Sequence, residues 1–388
     1  MHKFSFAATR ALHVEVGAAN HLAQIAADRG LGAGHVFFVT DPGIMQLGLA
    51  AGAIESFERV GARVTVFDAV EADPPADVVL RAVEDARIAG ASLVVGFGGG
   101  SAMDVAKLVA YLVGSGDTLD AIFGVGLARG RRLPLILVPT TAGTGSEATM
   151  VSVVTVGTSE KKGVVSASLL PDLGVLDAEL TLGLPPHITA ATGIDAMVHA
   201  IEAYTSRSLN NNPLSRMIAR EALSLLGSNI EQAVFNGRDR AARANMLLGA
   251  AMAGMAFCNA PVAAVHALAY PVGTLFHVPH GLSNALVLPH VMRFNASMCG
   301  AEYAELAALV FPDLAGVSDG AERCEAFVLR LAALSARLGL QQRLRDVGIG
   351  SGDLDRLAAD AMNQTRLLVN NPRRVGLADA REIYQRAF

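Results

Sequence analysis

Short apolar runs alternate with longer amphipathic stretches through the first half of the chain. His35 to Thr40, Arg63 to Phe67, Ser92 to Phe97 and Pro134 to Val138 are rich in β-branched and large apolar residues and read as strands. Ile44 to Val60, Pro75 to Ala89 and Ser101 to Val113, which lie between them, carry apolar residues at helical spacing. Strands alternating with helices predict a parallel sheet with crossover helices, an α/β domain. Met150 to Val156 and Gly163 to Ser166, separated by the polar Gly157 to Lys162, predict a hairpin laid over that sheet. After Leu184-Pro185-Pro186 the strand pattern stops. Thr189 to Thr205, Pro213 to Leu226, Arg238 to Ala256, Ala301 to Phe311, Arg323 to Leu338 and Gly352 to Met362 all favour helix. The double proline marks a hinge, which divides the chain into an α/β domain over residues 1–184 and an all-α domain over residues 185–388. No internal repeat or low-complexity tract is evident.

One stretch of the helical half stands apart. Ala244 to Met292 spans 49 residues without an Asp, Glu, Lys or Arg. With 52% hydrophobic residues and a mean hydropathy of +0.40, a membrane span comes to mind. Asn259, Pro261, His266, Pro271, His277, Pro279 and His280 nevertheless interrupt every window long enough to span a bilayer, so no membrane partner is expected. A helix buried on all sides within a large domain fits better. With 31 basic against 36 acidic residues the chain has no basic footprint for nucleic acid. Cys258, Cys299 and Cys324 are odd in number and lack Cys-x-x-Cys spacing, which argues against a disulfide framework or a zinc ribbon. Met1 to Arg10 is too short an apolar patch for a secretory signal. A soluble, cytoplasmic protein is the expectation.

Three constellations carry candidate chemistry. Gly96-Phe97-Gly98-Gly99-Gly100-Ser101 follows a strand and opens a helix holding Asp104 and Lys107. Glycines there let backbone amides approach a pyrophosphate at a helix N-terminus, although Ser101 stands where the common dinucleotide fingerprint has its third glycine. Pro139 to Glu147, rich in Thr and Gly, follows the next strand, and ligands of open parallel sheets bind outside the strands' carboxyl ends. Either loop alone also reads as a simple turn; together they favour a nucleotide. Lastly, Asp195 and His199 stand at i, i+4 on one helical face. Such a pair alone is commonly a local hydrogen bond. His266 and His280, 14 residues apart around an expected turn at Pro271, extend it to three imidazoles and one carboxylate. That set suits a first-row divalent ion with positions left for substrate.

Four segments resemble, in order, the motifs of the iron-containing (group III) alcohol dehydrogenases. They are Gly98-Gly99-Gly100-Ser101-x-x-Asp104-x-x-Lys107, Pro139 to Glu147, Gly193-x-Asp195-Ala196-x-x-His199-Ala200-x-Glu202 and Pro279-His280-Gly281-x-x-Asn284-Ala285. The resemblance covers nearly the whole chain. It implies a dehydroquinate-synthase-like fold: an α/β dinucleotide-binding domain, an all-α metal-binding domain and a cleft between them. It also implies Asp195, His199, His266 and His280 as ligands of a divalent metal, Fe(II) ahead of Zn(II). NAD would be lined by Gly98, Gly99, Ser101, Asp104, Thr140, Thr141, Thr144, Thr149 and a hairpin lysine, Lys161 ahead of Lys162. Asp41 matches the acidic position that faces the adenosine ribose in NAD-preferring members; Asp117, suggested by the ordinary Rossmann spacing, ranks behind it. A homodimer is the family-level expectation.

The chain also departs from the family pattern. Where many members have a second histidine four residues after His266, it has Tyr270, a poor base with a reference pKa of about 10. Proton removal would then lean on the metal, which lowers the bound alcohol's pKa, with Tyr270 or a water as relay and His277 as a spare imidazole. Tyr270 and the segment Leu367 to Arg373 resemble a subgroup that includes hydroxyacid-oxoacid transhydrogenases. Arg366 or Arg373 would pair a substrate carboxylate if either reached the site, though a surface salt bridge is the commoner fate. Met150, Val151 and Cys258 point to a mainly apolar substrate pocket. The expected activity is hydride transfer between NAD(H) and a small alcohol or aldehyde. A transhydrogenase or hydroxyacid dehydrogenase is the rival, and a dehydroquinate-synthase-type lyase would want cations that Ala244 to Met292 lacks.

Overall fold

Six parallel strands form the centre of the first unit in a computed structural model that describes residues 3–32, 34–157 and 160–388. In chain order the strands are β1 (Leu12–Val14), β2 (His35–Val39), β3 (Arg63–Phe67), β4 (Leu93–Gly98), β5 (Gly124–Val125), β6 (Leu135–Pro139), β7 (Val151–Val156), β8 (Glu160–Val165) and β9 (Leu173–Leu176). The main sheet runs β1-β9-β6-β4-β2-β3. Its principal covering helices are α1 (Ala51–Arg59), α2 (Ala76–Ala89) and α3 (Gly100–Ser115). Both faces are covered, which is why the strands read as unbroken apolar runs. Along β2, Phe37 and Val39 pack with Val79 and Val83 of α2, while Val36 and Phe38 join Phe57 of α1 on the other face.

The strand order positions a ligand site. From β2 the chain turns outward to β3, whereas from β4 it turns the other way to β6, so the connections diverge above the carboxyl ends of β2 and β4. Such a switch point is where open α/β sheets bind ligands. Asp41 follows β2, the glycine loop ends β4, and Thr140 follows β6.

Two expectations change here. The helix expected over Ile44 to Val60 is split into Pro42–Gln46 and α1 by a turn containing Gly48, where helix would cost about 1 kcal/mol relative to alanine. The hairpin is longer than expected: β8 starts at Glu160 and pairs Lys161 with Thr155 and Lys162 with Val154. Its polar residues belong to a ladder with one solvated face. Thr158 and Ser159 of the expected Gly157 to Lys162 segment lie outside the described residues, as do Met1 and His2 of the N-terminal segment.

Ala7–Leu182 make up this first unit; Gly183–Phe388, joined by the chain's start through Phe6, make up the second. The second unit contains α4 (Pro186–Thr205), α5 (Pro213–Phe235), α6 (Arg240–Asn259), α7 (Ala264–Phe276), α8 (His280–Val310), α9 (Gly320–Arg337), α10 (Leu354–Ala361) and α11 (Leu377–Ala387). Their starts are written locally. Asn212 and Ser215 form a capping box with Pro213 at the first helical position, and Asp239 caps α6 through the Ala242 amide. By length and composition α6 passes as a membrane span, but 61% of its apolar window is buried. Pro271 does not make the expected turn. It lies inside α7, where burial on most sides sustains the helix despite the lost hydrogen bond, and the reversal comes at His277 to Pro279. The helix expected at Ala301 to Phe311 is the part of α8 beyond a break at Cys299, whose φ of −141° and ψ of 27° are not helical.

Candidate active site

Gly98 leaves β4 at φ 151°, a conformation L side chains rarely adopt, and a Cβ there would meet Ala102 at 2.9 Å and an Asp41 carboxylate oxygen at 3.2 Å. Asp41 Oδ1 meanwhile accepts from the Ile44 amide at 3.0 Å, capping the short helix after β2. The glycine turn thus lets the Asp41 carboxylate lie against the start of α3. Gly99 and Ser101 flank that start, and a Cβ on Gly99 would find only the Thr141 hydroxyl, at 3.9 Å. Thr144 packs on Gly100, and its hydroxyl accepts from the Ser146 amide.

Beneath this surface a buried cation organises the Thr-rich loop. Lys107 Nζ, on α3, donates to Ser146 Oγ at 2.7 Å, Thr149 Oγ1 at 3.0 Å and the Val151 carbonyl at 2.7 Å. Asp104 lies 3.7 Å from it, with its oxygens accepting from Ser146 Oγ and the Val153 amide. Burial pushes the Asp104 carboxyl up and Lys107 opposes it, with a net rise. Asp104 and Thr149 therefore hold the loop and hairpin from behind. Thr140 is also buried, its amide bonded to the Gly98 carbonyl. Lys161 pairs with Asp73 at 2.5 Å, and Asp117 accepts from Tyr111 beyond the far end of α3.

In the helical unit four ligand-type atoms converge. One atom each from Asp195, His199, His266 and His280 lies within 4.8 Å of the others. Asp195 Oδ1 is 4.0, 3.8 and 3.6 Å from the Nε2 atoms of His199, His266 and His280. Ligand bonds of about 2.0–2.2 Å keep donors within roughly 4.4 Å of one another, so this set is nearly pre-formed. The donors come from α4, α7 and the first residue of α8. Gly281 allows that meeting, because a Cβ there would stand 2.3 Å from the Ala191 carbonyl of α4.

Hydrogen-bond accounting favours a cation at the centre. His266 Nδ1 lies 2.7 Å from Glu202 Oε2, which accepts its proton. His266 Nε2 then presents a lone pair toward the Asp195 carboxylate, two acceptors facing each other in a buried place. Asn284 Nδ2 donates to Asp195 Oδ1 at 2.5 Å and lies 3.3 Å from the Nε2 atoms of His266 and His280. Its two N–H groups are too few for all three. Burial would push the Asp195 carboxyl up, but the imidazoles, His199 foremost, together with Asn284 hold it below the usual range. A divalent ion fits this donor set.

The side chain of His280 is 39% exposed while the other three ligands are at most 6% exposed, so access is from the His280 side. Tyr270 is on that side, its ring centroid 5.8 Å from that of His280. His277 is exposed and takes a left-handed conformation, φ 55°, that ends α7. Cys258 adjoins Phe257, which stacks on His199 at 4.5 Å; Val151 lies on β7 of the other unit. Arg373 is engaged in packing, its guanidinium 3.9 Å from the Phe294 ring centroid and bonded to the Phe294 carbonyl. Lys107, Asn284 and Glu202 were visible in the motifs, but spacing alone gave them no role.

A nucleotide-type parallel sheet and a helical unit carrying an Asp-His-His-His cluster together have the parts of a metal- and nucleotide-using enzyme. Residues 9–178 match the iron-containing alcohol dehydrogenase model, and residues 189–388 match the C-terminal model of the Fe-containing alcohol dehydrogenase family. The chain belongs to the iron-containing alcohol dehydrogenase family. It is 41% identical over 382 residues to long-chain-alcohol dehydrogenase 1 of Geobacillus thermodenitrificans, covering 97% of this chain and 94% of that one. A solved 1,3-propanediol oxidoreductase superposes with a TM-score of 0.94 at 31% identity over the whole of both chains. Sulfoacetaldehyde reductase from Bifidobacterium kashiwanohense, solved in complex with NAD+, gives 0.86 at 28% identity, over 100% of this chain and 99% of that one. The chain is an alcohol dehydrogenase or aldehyde reductase of this family, and these relatives do not favour the transhydrogenase alternative.

Proposed function

We propose that the protein transfers hydride between NAD(H) and a small alcohol or aldehyde, with Asp195, His199, His266 and His280 holding a divalent metal, iron by preference. The observation that carries this reading is the convergence of those four donors with a lone-pair conflict that a cation relieves. When bound, the metal supplies Lewis acidity at the substrate oxygen and the nicotinamide supplies or accepts the hydride. Gly98, Gly99, Ser101, Thr140, whose buried hydroxyl has no hydrogen-bond partner among the described residues, Thr141 and Thr144 bind the nucleotide, and Lys107, Asp104 and Thr149 hold their loops in shape. Lys161, on β8 of the hairpin, completes the cofactor-lining set. Cys258, next to the Phe257 ring that stacks on His199, contributes apolar surface for the substrate. The reading carries a cytoplasmic homodimer, with three buried free cysteines suited to a reducing compartment. Reduction of external NAD by a panel of primary alcohols tests it; turnover only when a hydroxyacid and an oxoacid are supplied together would replace it with a transhydrogenase.

Asp41 gives a prediction about cofactor choice. Its carboxylate, at the switch point, accepts hydrogen bonds from a ribose 2′-hydroxyl and repels a 2′-phosphate. Asp41→Gly should raise kcat/KM with NADP relative to NAD by about tenfold or more, since like charges brought together cost several kcal/mol. The lost cap costs only a few tenths of a kcal/mol when glycine replaces it. Equal efficiency with both cofactors in the unmodified protein contradicts the assignment.

Tyr270 gives another. Its hydroxyl relays the proton between substrate and solvent, beside the most exposed ligand. Tyr270→Phe should retain the metal but slow single-turnover hydride transfer on the order of 10²-fold, the usual scale for a general acid or base. An unchanged rate leaves Tyr270 as packing.

A further inference from the structure

Glu202 stands one helical turn beyond His199 on α4 and is buried, yet it binds nothing in the proposed chemistry directly. Its oxygens collect three donors. Oε1 accepts from the Val265 amide at 2.7 Å, and Oε2 accepts from the Ala263 amide at 3.0 Å and from His266 Nδ1 at 2.7 Å. Ala263 is the N-cap of α7 and supplies no capping side chain of its own. Orphan amides at a buried helix start need an acceptor, and a carboxylate there also meets the positive end of the helix dipole. One side chain thus caps the helix that carries His266 and holds the imidazole itself.

We infer that Glu202 is the positioning residue of the metal centre: by capping α7 from α4 it sets where His266 stands, and by accepting from Nδ1 it leaves the Nε2 lone pair for the ion. Two observations make the second role separable from the first. The turn before α7 is tied down independently, because Ser206 Oγ donates to the Pro261 carbonyl and Asn370 Nδ2 donates to the Val262 carbonyl. The carboxylate also divides its work, with Oε1 serving only the Val265 amide while Oε2 serves the Ala263 amide and is the acceptor of the imidazole proton. A second acceptor behind a ligating imidazole fixes its tautomer and raises its basicity, and losing one typically costs 10–100-fold in metal affinity.

This rests on the metal-centre reading above, and the experiment separates the two. Zn(II) affinity is measured by chelator competition for the full-length protein, Glu202→Met and Asn370→Ala, and imidazole nitrogen-15 shifts are recorded on the Zn(II)-loaded protein. The expected result is a 10–100-fold weaker Zn(II) affinity in Glu202→Met, while Asn370→Ala, which loosens the same turn without touching His266, stays within about threefold of the parent. The parent should show a proton on His266 Nδ1, hydrogen-bonded and slow to exchange. Equal affinity in the parent and Glu202→Met overturns the role of Glu202 while leaving the centre standing. An equal loss in Asn370→Ala reduces Glu202 to a helix cap and overturns it too. Absence of Zn(II) binding by the parent overturns the centre and this inference with it. Should Glu202→Met fail to fold, the parent spectrum decides alone, because a His266 ring lacking the Nδ1 proton contradicts the proposal.

Discussion

His266→Ala and His280→Ala should each lose stoichiometric metal and reduce turnover roughly 10³-fold or more while the fold survives. The donors come from three helices, so no neighbouring side chain replaces a missing imidazole, and the Lewis-acid contribution of a metal is worth several kcal/mol, with each 1.36 kcal/mol a factor of ten in rate. The two variants should differ in stability. His266 is buried, with its Nδ1 on Glu202, so its removal leaves a cavity and an acceptor without its donor. His280 is more exposed, at the first residue of α8, and its removal costs less. Metal analysis beside steady-state rates and thermal melts checks both parts; full occupancy and normal turnover in either variant contradict the ligand assignment.

Lys107→Met should destabilise the protein by about 3–5 kcal/mol, the usual cost of removing one partner of a buried ion pair. Lys107 is completely buried, and three acceptors besides Asp104 depend on it. The loss should depend on pH. Burial already raises the Asp104 carboxyl above its unfolded value, and without Lys107 it rises further. Below the unfolded value the carboxyl is protonated in both states and carries no charge penalty. Once pH passes the parent's raised folded value its carboxyl ionises beside Lys107, whereas the variant's keeps its proton to a still higher pH, so the variant's deficit grows across that interval and levels off above it. Urea unfolding of parent and variant should therefore differ more at neutral pH than near pH 4. NAD should also bind more weakly, since Ser146 and Thr149 lose the group that holds their loop. A variant within 1 kcal/mol of the parent would show that Lys107 is not the support of this loop.

How far the sequence carries depends on how local each interaction is. The runs at β2, β3, β4 and β6 were legible because a sheet buried on both faces needs unbroken apolar strands. The Asp195 to His199 spacing was legible because one helical turn places both on a face. β1 and β9 were not, being three and four residues long and defined by their partners rather than by any period. Pro271 misled because tertiary burial outweighs a local helix breaker. The glycine and threonine loops were found, but spacing could not tell side chains that face outward from those, such as Asp104 and Thr149, whose polar atoms turn inward to Lys107. Glu202 shows the same limit, since its partners lie 61 to 64 residues away along the chain.

The central claim is that this cluster binds one metal on which alcohol oxidation depends. The most direct test strips the purified protein with a chelator, adds back Fe(II) in increments under anaerobic conditions, and follows NADH formation from a primary alcohol. The account predicts no activity in the stripped protein and a linear rise that stops at one equivalent per chain. Full activity without metal, or a rise that continues past one equivalent, would contradict it.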